Sequence, residues 1–164
     1  GEVNKIVKKE FNFFEQLFLN QLPYSIFISK EIWVKYGGYD ENMNSGYEDW
    51  EFNIRLGSYM KFGKRLAKPL FHYNVSRSGM LISNTSKNHS KIWKYIISKN
   101  KDLFNLKQII FSWKKWRSKP SSYPLIIFFI WYLFFRFLPE IWLSKIFIFF
   151  RNLKWLFSRK KNFY

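Results

Sequence analysis

The chain has 164 residues, no cysteine, and 28 Lys/Arg against 11 Asp/Glu, a formal net charge of +17. The lack of cysteine excludes a disulfide-stapled domain, a thiolate metal site and a cysteine nucleophile. At 48% hydrophobic and 23% aromatic residues, the chain holds too much apolar mass for intrinsic disorder, and its charge calls for nucleic acid or an anionic membrane as partner.

The charge is unevenly spread. Residues 1–80 hold 11 Lys/Arg and nine acids, whereas residues 81–164 hold 17 Lys/Arg and only Asp102 and Glu140. Carboxylate chemistry must therefore be sought in the first half. The chain begins at Gly1, shows no positive-then-apolar leader, and opens as if inside a helix. The expectation is a piece of a longer polypeptide that has lost its N-terminal part.

In chain order, residues 5–19 have apolar side chains at helical spacing, and Pro23 ends that segment. Tyr24–Ser29 is β-branched and aromatic, which predicts a buried strand. Ser29 caps a short helix, and Gly37-Gly38 closes it at positive φ. Residues 39–46 are a polar loop. A helix resumes at Tyr47, with Trp50, Ile54 and Leu56 apolar, and ends near Gly57. Residues 65–75 read as a strand with Pro69 near its start or at an edge, and residues 76–90 as a mobile Ser/Asn-rich loop. Residues 90–117 form one long helical stretch with a lysine-rich face, broken at Lys119-Pro120. From Ser121 to Phe135 no charge occurs; Arg136, Pro139, Glu140 and Lys145 interrupt the apolar sequence beyond it. The tail, 151–164, is basic and aromatic.

The informative block is SIFISKEIWVKYGGYDE, residues 25–41, followed by GYEDWEFNIRL, residues 46–56. A sugar transfer that inverts the anomeric centre needs a carboxylate to take the acceptor hydroxyl's proton. Asp49 opens a predicted helix, where free N–H groups and the dipole favour an ionised acid. Glu48 and Asp49 also fit plain N-terminal helix acids. Trp50 also fits core packing. Asp40 and Glu41 fit loop capping or Arg pairing, and Arg55 fits a structural partner of one of these acids.

This block resembles the C-terminal half of the catalytic domain in GT-A-fold, family 2-type glycosyltransferases, over roughly residues 20–80. The resemblance implies an α/β fold: the C-terminal fragment of a GT-A domain followed by a mostly α-helical basic and aromatic tail. Together with the residue pattern of the tail, it divides the chain into residues 1–85, the acceptor and base side of the catalytic domain; 86–120, an amphipathic helix packed on it; and 121–164, a membrane-associating helical segment. It implies inverting transfer from a nucleotide-sugar donor to a glycan or lipid-linked acceptor in cell-surface polysaccharide biosynthesis. Asp49 would be the base, and Glu48 would steer acceptor hydroxyls. Gly37 and Gly38 would let the backbone approach the ligand, Asp40 would bind substrate, and Trp50 would offer an apolar face to a sugar ring. His72 matches a position that completes the family's metal site, although a packed, hydrogen-bonded histidine fits it too. Asn74, Ser76 and Gly79-Met80 depart from the family's pattern, and Arg77 is the candidate for the lost positive charge near the diphosphate. The divalent ion, Mg²⁺ or Mn²⁺, is held in the family mainly by an Asp-x-Asp motif. This chain contains none, so by itself it is expected to be inactive.

The uncharged run argues against nucleic acid as the partner. Basic residues on both of its sides, with Trp131, Tyr132, Trp142 and Trp155 at interfacial positions, favour an anionic membrane. The expectation is an in-plane helix pair, or a re-entrant hairpin bent near Pro139, at the cytoplasmic face. A spanning helix and a soluble helix packed on the enzyme core are the other readings. The competing function is a non-catalytic basic module for a membrane surface or nucleic acid, with Glu48-Asp49 only a helix cap.

Overall fold

A computed structural model describes residues 10–22, 26–64, 66 and 88–146. Their elements are α1 (Phe13–Gln16), α2 (Lys30–Lys35), α3 (Glu48–Ser58), α4 (His89–Lys99), α5 (Leu106–Trp116) and α6 (Leu125–Phe137), with further helical residues at 140–146. Among the described residues there is no strand.

This overturns the α/β expectation. The predicted strand at Tyr24–Ser29 is described only over 26–29, which belong to no ladder, and Phe27 is 95% exposed. A β-branched and aromatic run favours extended chain, but a strand exists only when a neighbour pairs with its N–H and C=O groups. Of the predicted strand at 65–75, only Leu66 lies among the described residues. So does only the end of the loop read at 76–90.

The helical readings fare better. Ser29 caps α2, its Oγ accepting from the Ile32 N–H at 3.3 Å. Gly37 and Gly38 close it at φ +75° and +56°, the left-handed region that glycine enters without a Cβ penalty. The long stretch at 90–117 is two helices. The first ends at Lys99 with Asn100 as its C-cap, and Asn105 starts the next, its side chain accepting from the Gln108 N–H at 2.9 Å.

One core collects side chains from across the chain: Phe14, Leu17 and Phe18 from α1 and its exit, Trp50 and Ile54 from α3, Trp93 and Ile96 from α4, Ile109 from α5 and Phe128 from α6. At α3, Gly57 allows the Phe13 ring to lie so close that a Cβ there would meet it at 2.0 Å. Four-residue α1 is too short to hold itself together and is secured by polar bonds. Asn12 accepts from the Glu15 N–H at 3.3 Å, and its amide reaches the carbonyls of Trp116 and Lys119 at 3.4 Å beyond the end of α5. Buried Glu15 accepts from the Ser122 N–H at 2.9 Å. The start of α1 and the end of α5 therefore share their capping groups.

Candidate active site

Helix α3 begins without a side-chain cap. Tyr47, at its N-cap, has φ +67°, and the acids Glu48, Asp49 and Glu51 occupy the first turn where the dipole favours them. The Asp49 carboxylate is fixed at both oxygens. Its Oδ1 accepts from the Trp50 N–H at 2.7 Å, and its Oδ2 accepts from Asn20 Nδ2 at 3.0 Å. Asn20 is itself oriented, since its Oδ1 accepts from Gln16 Nε2 at 3.1 Å and from the Leu22 N–H at 3.4 Å. Thus the exit of α1 delivers one amide to the acid on α3.

The expectation that the helix start holds Asp49 readily ionised needs correcting. Burial pushes its pKa up, and neighbouring Glu48 adds to that, against the lowering effect of the Trp50 and Asn20 donors. A carboxylate with a raised pKa is a stronger proton acceptor. Tyr39 lies within the same field: burial, then Asp49 and Glu48, raise its hydroxyl. Glu48 has no hydrogen-bond or ion-pair partner among the described residues.

Trp50 is a core residue, 3% exposed. Its ring stacks on Trp93 at 4.6 Å, and its Nε1 donates to the Gln16 carbonyl at 2.7 Å. Neither face is offered to a sugar, and the indole instead fixes the helix that carries Asp49.

Gly37 and Asp40 line an open hollow of about 610 Å³, together with Tyr39, Glu41, Asn42, Arg55, Tyr95 and Lys99. Gly38 is buried beneath, where a Cβ would meet the Trp33 indole at 2.8 Å. Both Asp40 oxygens are engaged. Oδ2 accepts from Lys99 Nζ at 2.6 Å and Tyr95 Oη at 2.9 Å, while Oδ1 accepts from the Asn42 N–H at 3.0 Å. The Lys99 ammonium above all holds Asp40 well below the usual carboxylate range. Asp40 thus ties the loop to α4.

Arg55 pairs with Glu51, an acid the sequence reading passed over. Its Nε and Nη2 meet Oε1 and Oε2 at 3.1 and 2.9 Å. Nη2 also donates to the Gly38 carbonyl at 2.7 Å, and Nη1 donates to that of Tyr36. Fully buried Glu51 thereby clamps the glycine turn onto α3. The signal was there: Glu51 and Arg55 stand four residues apart on a helix. Asn20 carries no comparable signal, being one of two adjacent polar residues after a helix. A second pair also escaped notice. Tyr47 Oη lies 2.9 Å from His89 Nδ1. Burial raises the tyrosine to about 12 and lowers the histidine to about 4, which leaves both neutral at physiological pH.

The structure brings Gly37, Gly38, Asp40, Glu48, Asp49 and Trp50 into one region, linked through Tyr39, Glu51 and Arg55. His72 and Arg77 lie outside the described residues. No three His, Asp or Glu side chains among the described residues converge as metal ligands.

The profile of the glycosyltransferase-like family 2 matches residues 3–123, about three quarters of the chain. This chain belongs to that family. Among the curated proteins and the solved structures, none matches it significantly. A family 2 domain handles a nucleotide-sugar donor and an acceptor, and the match spans every candidate residue named above. The resemblance read from Gly37–Glu41 and Glu48–Leu56 is therefore shown at the level of the family.

Proposed function

We propose that this family 2 glycosyltransferase chain carries the base of an inverting sugar transfer, with Asp49 in that role. The observation that supports it is the carboxylate on α3: half-buried, fixed by Asn20 and the Trp50 N–H, and raised in pKa. The acceptor hydroxyl loses its proton to Asp49 as its oxygen attacks the anomeric carbon, and the nucleoside diphosphate leaves from the opposite face. Glu48 orients the acceptor. The hollow beside Gly37 takes the acceptor's glycan, and Arg77 meets the diphosphate. A divalent ion, Mg²⁺ or Mn²⁺, supplies charge neutralisation when bound. In this reading its principal carboxylates come from an Asp-x-Asp motif that residues 1–164 do not contain, with His72 the ligand supplied here. The acceptor is a glycan or lipid-linked saccharide of cell-surface polysaccharide synthesis, met at the cytoplasmic face of the membrane.

The test is nucleoside diphosphate release from a panel of nucleotide sugars, in membranes containing the protein as the cell makes it. Asp49→Asn is expected to lower release by roughly a hundredfold to ten-thousandfold, the usual worth of a positioned base. Near-normal release from that variant overturns the assignment.

A further inference from the structure

Helix α6 is apolar all round, its only charge being Arg136 in the last turn. One side is committed: Phe128, 2% exposed, enters the core with Trp131 and Phe135 packed beside it. At about 100° per residue, Ile126, Ile130, Leu133 and Phe137 fall in a stripe roughly 60° wide on the opposite side. All four are exposed, Phe137 at 74%. After Pro139, Ile141 and Trp142 continue the exposure at 64% and 56%. A helix with only one face on the core ordinarily turns polar residues outward. This one does not, so the stripe calls for an apolar neighbour.

Charge identifies the neighbour. Lys114, Lys115 and Arg117 are exposed just before α6, and Arg136 and Lys145 are exposed within and after it, while Glu140 is the sole acid beyond Asp102. A second copy of this chain would bring the same lysines and arginines against that face. An anionic lipid surface rewards both the stripe and the lysines. Among the described residues no helix is long and apolar enough to cross a membrane. The 13 residues of α6 extend about 20 Å, against a hydrocarbon core of about 30 Å.

We infer that Ile126, Ile130, Leu133, Phe137 and Trp142 form a single face that lies in the plane of an anionic lipid surface, inserted to the depth of the headgroup boundary. This deepens the membrane placement proposed above and is independent of the role given to Asp49, so its test reads lipid binding alone.

The chain is floated with vesicles of phosphatidylcholine, with or without phosphatidylglycerol. Binding should be at least about tenfold stronger to the anionic vesicles and should weaken with salt. The combined Leu133→Gln, Phe137→Gln and Trp142→Gln variant changes only exposed side chains. It should lose about tenfold or more of that binding while melting as the wild type does. Because the chain has no cysteine, Ile130→Cys and Ser98→Cys each accept a single bimane label. The label at 130 should shift to the blue and be quenched by brominated lipid, and the label at 98 should not. This readout stands even where the combined variant folds poorly. Wild-type binding by the glutamine variant overturns the inference. So does a label at 130 that stays in water while the protein is bound, or a lipid-free dimer that the glutamines dissociate.

Discussion

At Asp49 two opposing influences meet. Burial and Glu48 disfavour its charge, and the Trp50 N–H and Asn20 amide favour it. Asn20 is thus a positioning residue that also moderates the acid. Replacing it with Leu removes a donor to the ionised form, so the Asp49 pKa should climb further. The chain contains three aspartates, Asp40, Asp49 and Asp102, so ¹³C labelling at Asp Cγ gives a spectrum that Asp49→Asn assigns directly. The expected result is an Asp49 midpoint above the ordinary carboxylate value in the wild type and higher again in Asn20→Leu. An unchanged midpoint would refute the moderating role. The linkage has a definite sign. A folded-state pKa above the unfolded one means the native state holds the proton more tightly. That contribution is complete below about pH 3.9 and disappears as pH rises through the folded-state value. Wild-type stability measured against Asp49→Asn should therefore fall across that window. Asp40 has the opposite sign: its depressed pKa stabilises the fold above the unfolded value and ceases to do so in acid.

Between elements, a close approach occurs at Gly57. Here α3 meets the Phe13 ring in a space with no room for a methyl group. Alanine would improve the helix by about 1 kcal/mol in isolation, but overpacking a core typically costs about 1–3 kcal/mol. Gly57→Ala should therefore lower the denaturation midpoint, and the penalty should vanish when Phe13 is also replaced by Ala. Equal effects of Gly57→Ala in the two backgrounds would rule out the clash. Such contacts were not legible beforehand, because a lone Gly near a helix end reads as a terminus signal. Local signals were legible: Ser29, Gly37-Gly38 and the acids of α3 act within a few residues of themselves, and the structure places them as their chemistry demands. The strand at Tyr24–Ser29 failed for the converse reason. Its composition was right, but pairing depends on a distant neighbour that no local run encodes.

Across the whole molecule, the polar groups that organise the site belong to the distant class. Asn20 and Asp49 are 29 residues apart, and Asn12 and Lys119 are 107 apart. Neither pair has a sequence pattern, whereas the family block around Asp49 is contiguous and therefore readable. The Asn12 bonds also make the ends of α1 and α5 one opening unit. Asn12→Ala should speed amide hydrogen exchange over the last turn of α5 as well as in α1; a change confined to α1 would disprove the coupling. Carried to the ribosome, the same clasp sets an interval. Phe13, Phe14, Leu17 and Phe18 emerge well before the carbonyls that fasten their helix, which lie roughly a hundred residues later, about 5–20 s of synthesis at about 5–20 residues per second. Through that time the nascent chain displays four large apolar side chains whose partners on α4, α5 and α6 have yet to be made, an interval in which aggregation competes with folding.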